Sequence, residues 1–522
     1  MCRHHRSVPW VGVFVLGLVV QRGATAAGED PQPPDGALAC RTLTLPRQAL
    51  LGPSALSSDR KFLVGLLPDK QLVGVWTLAN GHEVRSFRGA GPADSCLALS
   101  PDGKAVAAGT LGGKVVLWDL ATGKERHAWR HPDQPLAKAL AFAPDGRALA
   151  AGLGPGGPVR VWDTASGKEV YRLEGFVDVV SSLVFSPAGK TLAAVAPEAQ
   201  AEYARLWDAG GKEVRLFRER VSGVAFSPDG EVLATADGTG SVNLWPVAPG
   251  HAARLLRSNG VLARHLVFSP DGRMLASWSD VGSPLCLWEV ASGQVVRRFR
   301  MSARRPRHPA SSIVAVGFAP DGRALITVGC EGVVVWWDAT GLGREGLDRP
   351  VKLHAVDLED LWATTGSGDA AEAHRAVWAL TTGHRDAVPF LQERLRTLLF
   401  VERRIERAIR DLDARSFAVR TRAVRELKVL GEAARPALAR VLAGRPSLEM
   451  RKRIEELLEE GLGPGPAELK IQVIRGVQVL EQSGTPEARY ALEKLAREAR
   501  EQTVQAEARK ALTRLGGQKR KP

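Results

Sequence analysis

Three sets of residues in this chain have types and spacings that could do chemistry. A turn built as Ser-Pro-Asp-Gly or Ala-Pro-Asp-Gly recurs, and it places carboxylates at Asp102, Asp145, Asp229, Asp271 and Asp321. A carboxylate fixed in a turn could serve as a general acid or base. His354, His374 and His384 lie in one segment with Asp357 and Asp369 nearby, which are the side chains a metal ion takes. Arg297, Arg298, Arg300, Arg304, Arg305 and Arg307 crowd into one stretch, "RRFRMSARRPRHPASS". Six guanidinium groups there could grip an acidic protein segment, a phosphate or an anionic polymer. That stretch is the candidate acidic-partner loop.

The first two sets read as structural. A catalytic acid is not repeated in copy after copy, and Ala188 replaces it in "SPAG" with no other change around it. Proline presets φ, aspartate bonds its own backbone and glycine takes the left-handed position, so the motif is a turn. The histidine spacing matches no ligand pattern, and these residues are expected at the surface or at helix caps. Trp362 and Trp378 are expected as core anchors. The chain has no phosphate loop, no GxSxG, no HExxH and no CxxCH. No catalytic residue, metal or cofactor is expected.

The elements that carry these residues follow from the spacing of the turn. Its proline position falls at Pro101, Pro144, Pro187, Pro228, Pro270 and Pro320, and Ser58 holds it one period upstream. A tryptophan closing a β-branched run keeps the same period, at Trp76, Trp118, Trp162, Trp207, Trp245, Trp288 and Trp337. Each unit reads as apolar run, turn, apolar run, apolar run ending in tryptophan, then a more polar run. That is a four-stranded antiparallel meander with a solvent-facing outer strand. One unit cannot bury both its faces, but seven in a ring can. The last unit lacks a fourth strand, whereas "CRTLTL" at residues 40–45 is a lone strand near the start. These residues are expected to complete the last blade and close the ring. The arginine-rich stretch joins the sixth and seventh units, where the spacing of the turn lengthens.

The motifs "FSPDG", "LWD" and "ATGKEV" at this period resemble the WD-repeat β-propeller family, over about residues 40–345. The resemblance implies that the seven tryptophans are structural residues packing between blades. It also implies a side-chain tetrad in each blade, which this chain cannot assemble in most blades. The Gly-His pair is missing before the first strand, Trp245 is followed by Pro246, and Trp288 by Glu289.

Beyond residue 347 the period-two pattern gives way to helical spacing. Leu358, Leu361 and Trp362, then Ala376, Val377 and Leu380, mark connecting helices over 348–412, and "AVPFLQERLRTLLFVERRIERAIRDL" reads as one long helix. Residues 413–517 resemble HEAT-type helical repeats. The matching positions are Val419, Arg420, Ala423, Leu427 and Gly431, and again Val504, Ala508, Ala511, Leu512 and Gly516. The fold class is therefore an all-β seven-bladed β-propeller plus a C-terminal all-α, HEAT-like helical-repeat domain.

At the start, a basic head, a short apolar run and small residues around Thr25 read as a signal peptide over 1–27, followed by a proline-rich lead over 28–39. Export to the periplasm or the extracellular space is the expectation, with no membrane span after cleavage. The basic tail covers 518–522. Cys40, Cys96, Cys286 and Cys330 are far apart, form no CxxC and read as small core residues. The formal charge of +14 favours acidic partners, while few aromatics interleave with the basic residues, so no nucleic acid is expected. The function expected is an exported, non-enzymatic protein–protein interaction scaffold. The alternatives are a propeller enzyme or small-ligand binder using the central channel, or a periplasmic Tol-type propeller. Inner strands that are almost wholly apolar, apart from His265, argue against a channel site.

Overall fold

The computed structural model describes residues 39–518 apart from 46–53, 58, 68–71, 89–93, 111, 132–135, 177, 199–200, 218–219, 238, 249–252, 258–261, 280–283, 300–312, 331, 343–351, 400, 431–433, 445, 460–465 and 500–501. Seven four-stranded antiparallel sheets follow one another along the chain. Blade 1 spans Ser54–Arg88, blade 2 Asp94–Arg130, blade 3 Ala137–Leu173, blade 4 Ser182–Phe217, blade 5 Gly223–Arg257 and blade 6 His265–Phe299. Blade 7 takes three strands from Ile313–Asp338 and its fourth from β1 (Ala39–Thr44).

β1 pairs antiparallel with the third strand of blade 7, with Thr42 opposite Val335 and Thr44 opposite Val333. Leu45 extends the ladder by donating its amide to the Gly332 carbonyl at 2.9 Å. Arg41 adds two contacts. Its guanidinium lies 4.6 Å from the Trp336 ring centroid, and it donates to the Ala79 carbonyl in blade 1. One strand therefore binds the last blade to the first.

The turn chemistry is as the residue types require. In blade 2 the Ser100 hydroxyl donates to Asp102 at 2.7 Å, and Asp102 accepts the Lys104 amide at 3.0 Å. Gly103 sits at φ 69°, where a side chain would be strained. Blade 1 breaks the rule, because Arg60 occupies the glycine position at φ 57°. Its side chain compensates by donating to Phe318 O of blade 7 at 3.0 Å, across the seam that β1 closes.

Six of the seven tryptophans are buried, and Trp245 is half-buried. Four pack against an aromatic from the blade before or its connection: Trp162 stacks on Trp129 at 4.8 Å, Trp207 and Trp337 lie tilted against Phe176 and Phe299 at 5.3 and 5.6 Å, and Trp245 meets Phe217 edge-on at 5.2 Å. Such pairs add about 0.5–1.5 kcal/mol beyond burial. The indole N–H divides the ring in two. In blades 5, 6 and 7 it donates to Thr235, Ser277 and Thr327 at 3.0, 2.9 and 2.8 Å. In blades 1 to 4 the equivalent second-strand positions are Gly65, Ala108, Ala151 and Ala194, which offer no hydroxyl.

Ten helices are described after the propeller: α1 Ala355–Thr365, α2 Ala370–Thr382, α3 His384–Leu399, α4 Val401–Asp411, α5 Phe417–Leu430, α6 Arg435–Ala443, α7 Leu448–Glu459, α8 Pro466–Ser483, α9 Pro486–Glu498 and α10 Gln502–Gln518. Asp369 caps α2 by accepting from Ala371 and Glu372, and Thr485 caps α9. The segment expected as one long helix is helical up to Leu399 and again from Val401, and residue 400 lies outside the described residues. α9 and α10 form an antiparallel pair with Val504, Ala508 and Ala511 buried between them and their neighbours. Sequence neighbours are not the whole of the packing. α8 returns to the start of the region, so Val473, Val477 and Leu480 share a core with Leu358, Val377 and Leu391. A second core gathers Ile405, Leu412, Ala423, Leu427, Leu438 and Ile454 from α4 to α7. Trp362 packs on the first core, close enough to α8 that a Cβ at Gly476 would meet its ring at 3.2 Å. No described helix is long and apolar enough to cross a membrane.

Candidate functional site

In an antiparallel meander the first and third turns of each blade lie at one end of the sheet. Around the ring they collect on one side of the disc, the turn face. The second turns and the blade-to-blade connections collect on the other. The aspartates that follow the tryptophans cap the third turns: Asp119 accepts the Thr122 amide at 2.8 Å and Asp163 the Ser166 amide at 2.7 Å. Hydrogen bonds from Arg126 first, then from Thr122, hold the Asp119 carboxyl down at about 2. Asp119 and Asp163 are both held below the usual carboxylate range and bonded to their own turns, the opposite of a poised general acid.

On blades 5 to 7 the same face carries the helical region. Lys510 of α10 donates to Asp229 at 2.8 Å and to Glu231 at 2.5 Å, both in the first turn of blade 5. For Asp229 burial alone would push the carboxyl up. The bonds from Lys510 and Ser227 outweigh it, and the group sits below the usual carboxylate range. In blade 6 Arg273, 8% exposed, donates to Glu481 of α8 at 2.6 Å and to Glu507 of α10 at 2.9 Å. Arg514 closes the ring of charges by bonding both glutamates, at 2.6 and 3.0 Å.

The deepest contact is a two-pronged pair. Arg475 of α8, 2% exposed, donates Nε to Glu289 Oε1 at 2.8 Å and Nη2 to Oε2 at 2.6 Å. Its third nitrogen, Nη1, donates to the Thr365 carbonyl at 2.5 Å. Burial pushes the Glu289 carboxyl up, yet Arg475 more than offsets this and the group titrates below its ordinary value. Glu289 stands where most blades have aspartate after tryptophan. The longer side chain reaches out of its turn to α8.

Blade 7 completes the junction. His374 of α2 is 4% exposed, with Nε2 2.8 Å from Ala339 O. This corrects the expectation of a surface or cap histidine. The imidazole is a buried link between domains, and burial pushes its pKa down. Trp378 is buried as expected, and the Arg323 guanidinium lies 5.6 Å over its ring. His354 does act at a cap, as the N-cap residue of α1 with its amide donating to Asp357 at 2.8 Å. His384 is half-buried at the start of α3. No group of metal-ligating side chains occurs among the described residues.

Of the six arginines, Arg297 and Arg298 are among the described residues. Arg300, Arg304, Arg305 and Arg307 lie outside the described residues, as does the whole of the signal segment. Arg297 lies on the outer strand of blade 6 and reaches the next blade. It donates to Asp338 O at 2.9 Å in the next blade and covers the Phe299 ring at 5.4 Å. Arg298 is exposed on the same outer strand, facing away from Arg297 because side chains alternate along a strand. In the channel-facing strands His265 is exposed and stacks on Trp278 at 5.2 Å, and Lys138, which the sequence reading passed over, is exposed on blade 3. Cys96 and Cys286 are buried and Cys330 is half-buried, and none of the three forms a disulfide among the described residues.

Comparison with known proteins places the propeller. The model of the WD domain, G-beta repeat, matches residues 81–119 and 211–246. Periodic tryptophan protein 2 of Arabidopsis thaliana is 26% identical over 258 residues, covering 45% of this chain and 28% of that protein. Protein LST8 homolog of Drosophila melanogaster is 26% identical over 187 residues, 34% of this chain and 58% of that protein. An uncharacterized WD repeat-containing protein of Synechocystis is 29% identical over 163 residues, 30% of this chain and 43% of that protein. The chain thus spans less than two thirds of the length of these relatives. Seven blades, the periodic tryptophans and the matched repeats together make residues 39–342 a WD-repeat β-propeller, followed by a C-terminal all-helical region.

Proposed function

We propose that this protein is a non-enzymatic scaffold that holds other proteins, and that it works after export to the periplasm or the extracellular space. One observation carries the reading. Every bond between the helical region and the propeller described above falls on the turn face of blades 5 to 7, and the central ones are buried ion pairs. The two halves form one braced body, with a propeller disc and a helical surface at a fixed angle. Such a body suits the assembly of partners, and fold alone does not fix which. The repeated carboxylates support the same reading, since they bond their own turns or the helices rather than converging on a common point. The partners proposed are proteins.

The test is affinity purification of the full chain from the envelope of its native cell, with mass spectrometry of what co-purifies. A reproducible protein partner, recovered again when that partner carries the tag, is the expected result. Steady turnover of a small molecule by the purified chain would overturn the reading.

A further inference from the structure

We infer that the cleft between the turn face of blades 5 and 6 and helices α8 and α10 binds an acidic segment of a partner protein that also carries aliphatic side chains. The inference rests on the scaffold reading above and names the chemistry of what one of its surfaces takes. The cleft has a volume of about 730 Å³ and lies at the junction of the two domains. That size and that position are usual for ligand sites.

Its charge sets the sign of the ligand. The carboxylates in its wall are already engaged: Asp229 and Glu231 by Lys510, Glu289 by Arg475, Glu507 by Arg273 and Arg514, and Asp271 by its own turn. Two cations in the same wall are in no ion pair among the described residues. Arg254, on the outer strand of blade 5, gives one N–H to the Val290 carbonyl at 2.9 Å; it is attracted by Glu289, which lies beyond ion-pair reach of it and is already paired with Arg475. Arg509, on α10, is exposed and has no carboxylate partner among the described residues. One stands on the propeller and the other on the helices, so the cleft carries unmatched positive charge on both sides. A guanidinium presents a planar fork that fits a carboxylate.

Its apolar lining sets the rest. Ile471 and Ile474 are three residues apart on α8, so they share a face, and both are only half-buried. Val232 and Val290 of the propeller line the cleft with them and are half-buried too. Covering these four side chains favours a ligand with aliphatic groups over a bare anion. A peptide bearing both carboxylates and aliphatic side chains matches both features.

The experiment uses the full chain and a short fluorescein-labelled peptide in which glutamate and leucine alternate, read by fluorescence anisotropy. A second peptide has lysine in place of glutamate. Saturable binding of the acidic peptide is expected, weakening with added salt. Arg254→Ser and Arg509→Ser should each weaken it about tenfold, the factor for one lost charge-assisted hydrogen bond, with melting unchanged for the exposed Arg509 and slightly lowered for Arg254, which also gives up its bond to the Val290 carbonyl. No saturable binding, equal binding by the double variant, or equal binding of the lysine peptide would overturn the inference. The two proposals fail separately. Partners recovered from the envelope without peptide binding sink the cleft alone, whereas peptide binding with no partner recovered sinks the scaffold.

Discussion

Replacing Arg475 by Met tests whether the buried pair with Glu289 holds the domains together. Arg475 is 2% exposed and Glu289 5%, so the change strands a desolvated carboxylate. Breaking a buried pair from one side costs about 3–5 kcal/mol. Glu289→Leu strands the guanidinium instead, but Thr365 O still accepts one of its N–H groups at 2.5 Å, so the cost falls toward the lower end. The double variant, apolar on both sides, should lie far closer to the parent than the two single costs added together.

The sign of the pH dependence is fixed by the same geometry. In the parent Arg475 holds the Glu289 pKa below its unfolded value, so this group's contribution is present above about pH 4.3 and fades as pH falls through the folded pKa. In Arg475→Met burial, the largest influence on the group, is opposed chiefly by the Ser292 hydrogen bond and raises the folded pKa, so the penalty grows as pH rises above about 4.3. The gap between parent and variant should therefore be widest near neutral pH and narrow toward about pH 4. Urea unfolding followed by far-ultraviolet circular dichroism and tryptophan fluorescence reads both effects. A single-variant cost below about 1 kcal/mol, a gap that does not change with pH, or a simply additive double variant would refute the reasoning.

Two further outcomes follow from buried groups. Burial depresses the pKa of His374, so its contribution is complete above the unfolded value of about 6.5 and is lost as pH drops below it; His374→Gln should flatten the decline in stability between about pH 7 and pH 5, measured by urea midpoints. Trp288→Phe loses the bond to Ser277, whereas Trp76→Phe removes an indole N–H that is buried with no partner among the described residues; by thermal unfolding the first change should cost about 1 kcal/mol more than the second.

The ring was legible because its signals are local and periodic. Turn, tryptophan and strand lengths repeat within each unit, and even the missing fourth strand pointed to its replacement at the other end of the chain. The junction was not legible, because its partners are far apart: Glu289 and Arg475 are separated by 186 residues and share no pattern. A trace did exist. Glutamate in the place of aspartate after Trp288 is a break in the repeat, and that break is where α8 docks. Likewise the hydroxyls at Thr235, Ser277 and Thr327 recur in register with the tryptophans and could have been read beforehand. His374 misled because a lone histidine on a helix gives no sign of what faces it. A run of arginines looks alike in the sequence, whereas alternation along the strand gives Arg297 and Arg298 different surroundings.

Seven similar blades give the disc almost no preferred direction; turned by one step, it would look nearly the same to anything touching it. Fastening the helices over three particular turns ends that equivalence. The molecule acquires a heading, like a dial given its pointer. Whatever settles on the far side is then oriented with respect to the helices, so that two guests can be presented to each other at one set bearing.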